Sequence, residues 1–266
     1  MKKHFTLFTA TLLMIIATSC SGIKEEAYKG DQDHLIMSVL WFQRSAEMRA
    51  LFIQGYNIAS ERMTEAALLG SSGKPLAVIA DIDETILDNS PFEGWQIVNG
   101  KGFSDEAWKL WTDREEARPL PGALEFALLA DSLGVEIFYV SNRSVDDALG
   151  TTINNLKAFG FPFADTSHVL LKSASSSKIE RRSRILETHE IILLIGDNLA
   201  DLDGVFERRD VNYGFADVDT LANSFGKRFI VFPNPMYGSW PAPALDSNEK
   251  LTMRERMVRS IVSFQE

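Results

Sequence analysis

Apolar positions along this chain switch between two spacings. From Leu35 to Leu69, Met37, Leu40, Trp41, Met48, Leu51, Phe52 and Ile58 recur at three-, four- and seven-residue steps, which predicts helix, in one piece or two. A Gly/Ser/Pro-rich loop over 70–75 follows. Leu76 to Ala80 is then a short continuous apolar run, the mark of a strand buried on both faces. Similar runs return at 135–140, 168–171, 191–195 and 228–232. Helical patterns separate them, over 121–133 with Pro121 in the first turn and Gly134 at the end, and over 145–159. Ser177-Lys178-Ile179-Glu180 has the spacing of a capping box opening another helix, and 250–264 reads as a closing helix. Ser90 to Arg118 carries Trp95, Trp108 and Trp111 without a strand pattern. It reads as an inserted segment beside the strands, with a helix from about Ser104 to Glu115. Strands alternating with helices predict an α/β fold, a doubly wound Rossmann-like parallel sheet. Helical segments 35–69 and 90–118 would flank it.

The first residues break this pattern. Lys2 and Lys3 precede an apolar stretch from Phe5 to Ala17, too short to span a bilayer comfortably. Ala17-Thr18-Ser19-Cys20 follows, and small residues before a Cys at this point look like a bacterial lipoprotein signal. Cys20 is the only cysteine, so no intramolecular disulfide can form. The expected organisation is a signal over 1–19, lipidation at Cys20, a polar tether over 20–31 and one domain over 32–266. The mature protein would then be anchored outside the inner membrane, and the resemblance set out below implies the outer membrane, facing the periplasm or the cell surface. The alternative is an ordinary cleaved signal with a chance Cys.

The chain has 266 residues, 45% of them hydrophobic and 24% charged, enough for a full core. Its net charge of −10 argues against binding a nucleic acid polymer. It does not forbid a small phosphate ester, because a metal inverts the local field.

Candidate chemistry lies where the predicted strands end. Asp81-Ile82-Asp83-Glu84-Thr85 follows the first apolar run. The carboxyl edge of an open α/β sheet is where ligands bind. Two carboxylates two residues apart repel unless a cation or a shared proton compensates. The second strand ends in Ser141-Asn142-Arg143, the third in Lys172, and the fourth in Gly196-Asp197-Asn198-Leu199-Ala200-Asp201. Each set alone reads equally as an acidic loop, a helix cap or a solvated lysine. Together they supply carboxylates, a hydroxyl and cationic groups, the inventory of phosphoryl transfer.

These residues carry a resemblance. Asp81-Ile82-Asp83-Glu84-Thr85 resembles motif I of the haloacid dehalogenase superfamily, and Ser141, Lys172 and Gly196-Asp197 through Asp201 resemble motifs II, III and IV. The paired aspartates resemble the four-aspartate, class C acid phosphatases, and within them the lipoprotein e family of 5′-nucleotidases. Trp41-Phe42-Gln43-Arg44, Asp88-Asn89-Ser90-Pro91 and Asn234-Pro235-Met236-Tyr237-Gly238 add to the likeness. The resemblance implies a metal-dependent phosphomonoesterase. Asp81 would attack phosphorus, and Asp83 would serve as acid and then base. Mg²⁺ would sit on Asp81, the Asp83 backbone carbonyl and Asp197, with Asp201 on a metal-bound water or on Lys172. Ser141, Asn142 and Lys172 would hold the phosphoryl oxygens, with Arg143 nearby. The family stacks a nucleobase between aromatics, and Phe103 and Tyr237 are the candidates here.

The substrate expected is a small phosphomonoester, a nucleoside 5′-monophosphate first. A sugar-phosphate phosphatase or phosphotransferase is the alternative, and a ligand-binding lipoprotein without turnover is a third. The oligomer is left open, a homodimer included. No role falls to His4, His34, His168 or His189, which are expected on the surface or in the core.

Overall fold

The computed structural model describes residues 32–209, 212–245, 247–248 and 250–264. One turn at Asp33–Leu35 leads into helices α1 (Ile36–Arg44) and α2 (Ala46–Leu69). Ser45 separates them: its backbone is extended and its Oγ accepts from the Met48 amide at 3.1 Å, so it caps α2. The long apolar repeat therefore forms two helices.

Strand β1 (Leu76–Ala80) comes next, followed by an excursion built from β2 (Leu87–Asp88), α3 (Ser90–Asn99), α4 (Asp105–Thr112) and β3 (Arg118–Pro119). The chain continues through α5 (Ala123–Ser132), β4 (Glu136–Ser144), α6 (Val145–Ala158), β5 (Val169–Lys172), α7 (Ile179–Thr188) and β6 (Glu190–Gly196). It closes with α8 (Leu199–Leu202), α9 (Phe215–Thr220), β7 (Phe229–Val231), α10 (Pro241–Ala244) and α11 (Met253–Ser260).

Five strands pair in parallel in the order β5-β4-β1-β6-β7. Chain order runs outward from β1 through β4 to β5, then returns to β6 on the other side of β1. That reversal makes β1 the topological switch point, where α/β sheets bind ligands. Alternate residues of β1 serve two cores. Leu76, Val78 and Ala80 pack with α2, α5 and α6 through Phe52, Tyr56, Phe126 and Leu156. Ala77 and Ile79 pack with α7 and α8 through Ile185 and Leu202. A strand buried on both faces has no polar positions, which is why it read as one apolar run.

Three local expectations change. The excursion over 90–118 holds a first helix, α3, which Gly100 ends in a left-handed conformation at φ 58°, and its far end pairs antiparallel with β2. The closing helix is shorter than 250–264, because Thr252 and Glu255 form a reciprocal capping box that starts it at Met253. No capping box forms over 177–180. Lys178 is the N-cap of α7 without a side-chain cap bond, and Ser177 Oγ instead donates to Glu207 at 2.5 Å.

Candidate active site

The carboxyl ends of the strands converge on Asp81, the residue after β1. Its amide bonds the Ile195 carbonyl of β6 at 2.9 Å, so the strand pairing itself fixes its backbone. The following loop turns back sharply, with the Ile86 and Leu87 amides both bonded to the Ile82 carbonyl at 2.9 and 2.8 Å. Glu84 occupies the left-handed region at φ 55°, a conformation costing about 1–3 kcal/mol for a non-glycine residue. Its fully buried carboxyl accepts from the Asn89 amide at 2.6 Å, which closes the loop.

Asp83 is held by three donors, two from β4 and one from the start of α3. Ser141 Oγ reaches one oxygen at 3.0 Å, while Arg143 Nε at 2.9 Å and Asn89 Nδ2 at 2.8 Å reach the other. Arg143 is itself buried, donates to Thr152 at 3.1 Å and lies over the Trp108 ring at 5.7 Å. Trp111 Nε1 donates to Asn89 Oδ1 at 2.8 Å. The tryptophans of the excursion thus brace the groups that orient Asp83.

The cationic partner of Asp81 is Lys178, which corrects the assignment of Lys172. Lys178 is buried and bonds both Asp81 and, at 2.7 Å, Asp201. Lys172 ends β5 opposite Ser144 and is not among the residues lining the cavity at Asp81. The serine-rich loop 173–177 carries the chain from the strand end to the start of α7, where Lys178 turns inward. Burial alone would lower the Lys178 ammonium, but Asp201 and Asp81 outweigh it and hold it above its usual range.

Asp197 follows β6, as Asp81 follows β1. Asn234, three residues after β7, donates to Asp197 at 2.8 Å. Asp201 accepts from the Asn198 amide at 3.0 Å. Gly196 is required at this approach, because a Cβ there would lie 2.5 Å from the Asp201 side chain. Asp81, Asp197 and Asp201 each bring an oxygen within 4.8 Å of the others. Burial pushes the Asp81 carboxyl well above the usual range against the pull of Lys178, and Asp201, Asp197 and Asp83 push it the same way. Burial, then Asp201, pushes Asp197 up to about 7. Crowded, desolvated carboxylates of this kind lack positive charge, and an all-oxygen carboxylate set suits a hard divalent cation. The Asp83 carboxylate stands apart from this cluster, engaged with Ser141, Arg143 and Asn89.

A cavity of about 760 Å³ opens onto these aspartates. Asp81, Asp83, Asn142, Lys178, Asp197 and Asp201 line its floor chemistry, and Phe92, Phe103, Trp108, Met236 and Tyr237 line its apolar part. Phe103 is 62% exposed and packs edge-on against Phe92, so it sits at the mouth rather than in the core. Tyr237 is partly buried against the main core, and its hydroxyl is sealed without a partner among the described residues. Ser141 lies fully buried behind Asp83. Asn142 lines the cavity and accepts from Arg181 at 2.7 Å. His34, to which sequence gave no role, also lines the cavity.

Sequence reasoning missed Lys178, Asn89, Asn234, Trp111, Glu93 and Gln96. Asn234 follows a strand as the named residues do, and the strand-end rule would have found it. Lys178 and Trp111 leave no local signal, because their partners, Asp81 and Asn89, lie far away in the chain.

Comparisons with known proteins agree with this fold. The pattern of the HAD superfamily, subfamily IIIB (acid phosphatase), matches residues 26–240. The structure is similar to the class C acid phosphatase of Bacillus anthracis, with a TM-score of 0.82 and 37% identity, covering 89% of this chain and 100% of that one. A tungstate-bound structure of that phosphatase matches with a TM-score of 0.81 and 37% identity, covering 88% and 99%. Acid phosphatase 1 of Solanum lycopersicum is 26% identical over 198 residues, 69% of either chain. The Stem 31 kDa glycoprotein of Glycine max is 30% identical over 165 residues, 60% of this chain and 58% of its own.

Proposed function

The chain belongs to the HAD superfamily, subfamily IIIB (acid phosphatase), and we propose that this phosphomonoesterase acts on nucleoside 5′-monophosphates through an aspartyl-phosphate intermediate. One observation carries the nucleotide reading. The catalytic aspartates and an aromatic compartment share a single cavity, with Phe103 at its mouth and Tyr237 beside Met236. Phosphate chemistry alone needs no aromatic wall. Stacking on such a wall accepts any base face.

In the first half-reaction an Asp81 oxygen attacks phosphorus, and the bond from phosphorus to the leaving oxygen breaks. Asp83, beside it in the cavity, gives that oxygen a proton. In the second, Asp83 takes a proton from water, water oxygen bonds to phosphorus, and the bond to Asp81 breaks. Ser141, Arg143 and Asn89 hold Asp83 in one orientation for both transfers. Lys178 pairs with Asp81 and Asp201 and supplies positive charge where the phosphoryl oxygens would lie. Asp81 and Asp197, with the Asp83 carbonyl, would hold a divalent cation, Mg²⁺ by the chemistry of the donors. That ion would neutralise charge on the transferring group. The similar Bacillus anthracis phosphatase binds tungstate, an oxyanion, which supports binding of a phosphate-like anion by this fold.

The test is phosphate release from nucleoside monophosphates and sugar phosphates, with Mg²⁺ and with chelator. Faster turnover of nucleotides, lost on chelation, is expected. Preference for sugar phosphates would replace the nucleotide reading with the broad-specificity alternative.

We also propose lipid anchoring through Cys20 in the outer membrane. This rests on the sequence of residues 1–31, which lie outside the described residues. A nucleotide cannot cross a membrane until its phosphate is removed, which gives such an enzyme work outside the cytoplasm. No helix among the described residues is long and apolar enough to cross a membrane. Replacing Cys20 by Ser should release the protein from the membrane fraction or leave it unprocessed. Unchanged processing and attachment would exclude lipidation.

A further inference from the structure

Arg181 on α7 is buried, and its hydrogen bonds among the described residues all go to neutral oxygens. Nη1 donates to the Ser141 carbonyl at 2.6 Å and to the Leu170 carbonyl at 3.4 Å. Nη2 donates to Asn142 Oδ1 at 2.7 Å and to the Ser176 and Ser177 carbonyls at 3.3 and 3.2 Å. These partners lie on β4, on β5 and in the serine-rich loop before Lys178. Pairing between β4 and β5 is interrupted here. Val140 pairs with Leu170 and Ser144 with Lys172, so Ser141, Asn142 and Arg143 stand opposite Leu171 alone. Main-chain carbonyls at such a break need donors from elsewhere. The guanidinium sits at the interruption and donates to a carbonyl on either strand.

A guanidinium carries donors only, so the Asn142 atom that meets it is the amide oxygen. The NH2 group is the other arm of that amide, and no bond holds it among the described residues. Asn142 is exposed and lines the cavity with Asp81 and Lys178. The same guanidinium holds the carbonyls of the two residues before Lys178, whose ammonium pairs with Asp81 and Asp201. We propose that Arg181 is a positioning residue for phosphoryl binding: it turns the Asn142 NH2 toward a phosphoryl oxygen and sets the backbone from which Lys178 reaches Asp81. Any phosphomonoester supplies that oxygen, so the assignment does not depend on the nucleotide reading. The planar fork matters beyond the charge. Its two ends serve Ser141 and Asn142 at once, a geometry that the single ammonium of a lysine does not reproduce.

The experiment measures turnover of p-nitrophenyl phosphate and its competitive inhibition by inorganic phosphate, the product of the reaction. The enzymes are the wild type, Arg181→Lys, Asn142→Leu, Asn142→Asp and the double variant Arg181→Lys with Asn142→Leu. Arg181→Lys and Asn142→Leu should each weaken phosphate inhibition and lower kcat/KM by about tenfold or more. Arg181 acts through Asn142, so the double variant should fall no more than about threefold below the more impaired single variant. Independent effects would multiply to about a hundredfold. Asn142→Asp keeps the oxygen that Arg181 holds and puts a second oxygen in place of the NH2. It should fold as the wild type does and lose phosphate affinity at least as far as Asn142→Leu. An inhibition constant does not depend on how much of a sample is active, so a merely structural role for Arg181 would leave it unchanged. Unchanged phosphate inhibition in Arg181→Lys, or losses that multiply in the double variant, would overturn the proposal. If Arg181→Lys does not fold, Asn142→Asp decides: a tenfold loss of phosphate affinity there upholds the proposal, and undiminished affinity overturns it.

Discussion

Lys178 and Asp81 form a buried ion pair across 97 residues of chain. Lys178 also holds Asp201, so one ammonium ties the end of β1 to helix α8 after β6. It neutralises part of a carboxylate cluster that burial would otherwise make prohibitive. The pair stands at the sheet's switch point, where both elements expose strand ends.

This arrangement separates two lysines. Lys178→Met should lower kcat/KM by about a hundredfold or more, because it removes the buried cation paired with Asp81. Lys172→Met should stay within about threefold of wild type, since the Lys172 side chain does not line the cavity. Both are measured on one phosphomonoester, with folding checked by circular dichroism. A large loss at Lys172 and none at Lys178 would reverse the correction.

The two lysines also show what the sequence could and could not tell. Asp81, Asp83 and Asp197 were legible because each lies at or near the end of a buried apolar strand, and strand ends share one edge. Lys172 is the last residue of β5 and satisfied the same rule, yet it is Lys178, six positions further on, that pairs with Asp81. The Ser-x-x-Glu spacing over 177–180 read as a helix cap and hid a side chain that turns into the core. Asn89 and Trp111 were illegible for another reason. Their roles come from bonds across the chain, Asn89 to Asp83 and Trp111 to Asn89, and no spacing rule encodes such contacts. Glu93 and Gln96 look like the polar face of a surface helix until α3 is seen buried against the cavity. The excursion's helix α3 was missed because its apolar positions serve an aromatic pocket rather than the sheet.

Asp81→Asn should lower turnover by about a thousandfold or more, since an amide does not attack phosphorus. The fold should survive. Burial and the neighbouring aspartates raise the Asp81 carboxyl, so its ionised form strains the metal-free protein, and an amide removes that repulsion. Lys178 keeps Asp201 as a partner. The melting temperature without metal should therefore hold or rise. Near-wild-type turnover in a sample shown by mass to be free of deamidation would sink the covalent mechanism.

Glu93 gives the stability of the protein a pH dependence. Burial raises its folded value to about 7, above the ordinary glutamate value near 4.3. A raised carboxyl favours the folded state while protonated. Its contribution is full below about pH 4, falls as pH rises, and is lost through pH 7. The span is about 3.5 kcal/mol at most. Urea unfolding at pH 5 and pH 8 should show wild type losing stability towards pH 8, and Glu93→Gln losing less by about 2–3 kcal/mol. Parallel pH profiles for the two proteins would show that Glu93 ionises in the fold as it does in water.

Tyr237 is tied to the aspartate cluster through its backbone. The Asn234 side chain donates to Asp197 at 2.8 Å and accepts from the Met236 and Tyr237 amides at 3.0 and 3.4 Å. The loop is thus knotted onto Asp197, while Tyr237 lines the cavity. Truncating the ring leaves these backbone bonds in place, so the aspartates should keep their positions. Stacking on one aromatic is worth about 1–3 kcal/mol. Tyr237→Ala should therefore lower kcat/KM on a nucleoside monophosphate about five- to a hundredfold relative to a small aliphatic phosphate. The ratio matters because both substrates use Asp81 and Lys178, and damage to the chemistry cancels from it. A fall in both rates with the ratio unchanged would mean that the ring only supports the loop. Base binding would then rest on Phe103 at the mouth, and Phe103→Ala would have to move the ratio instead.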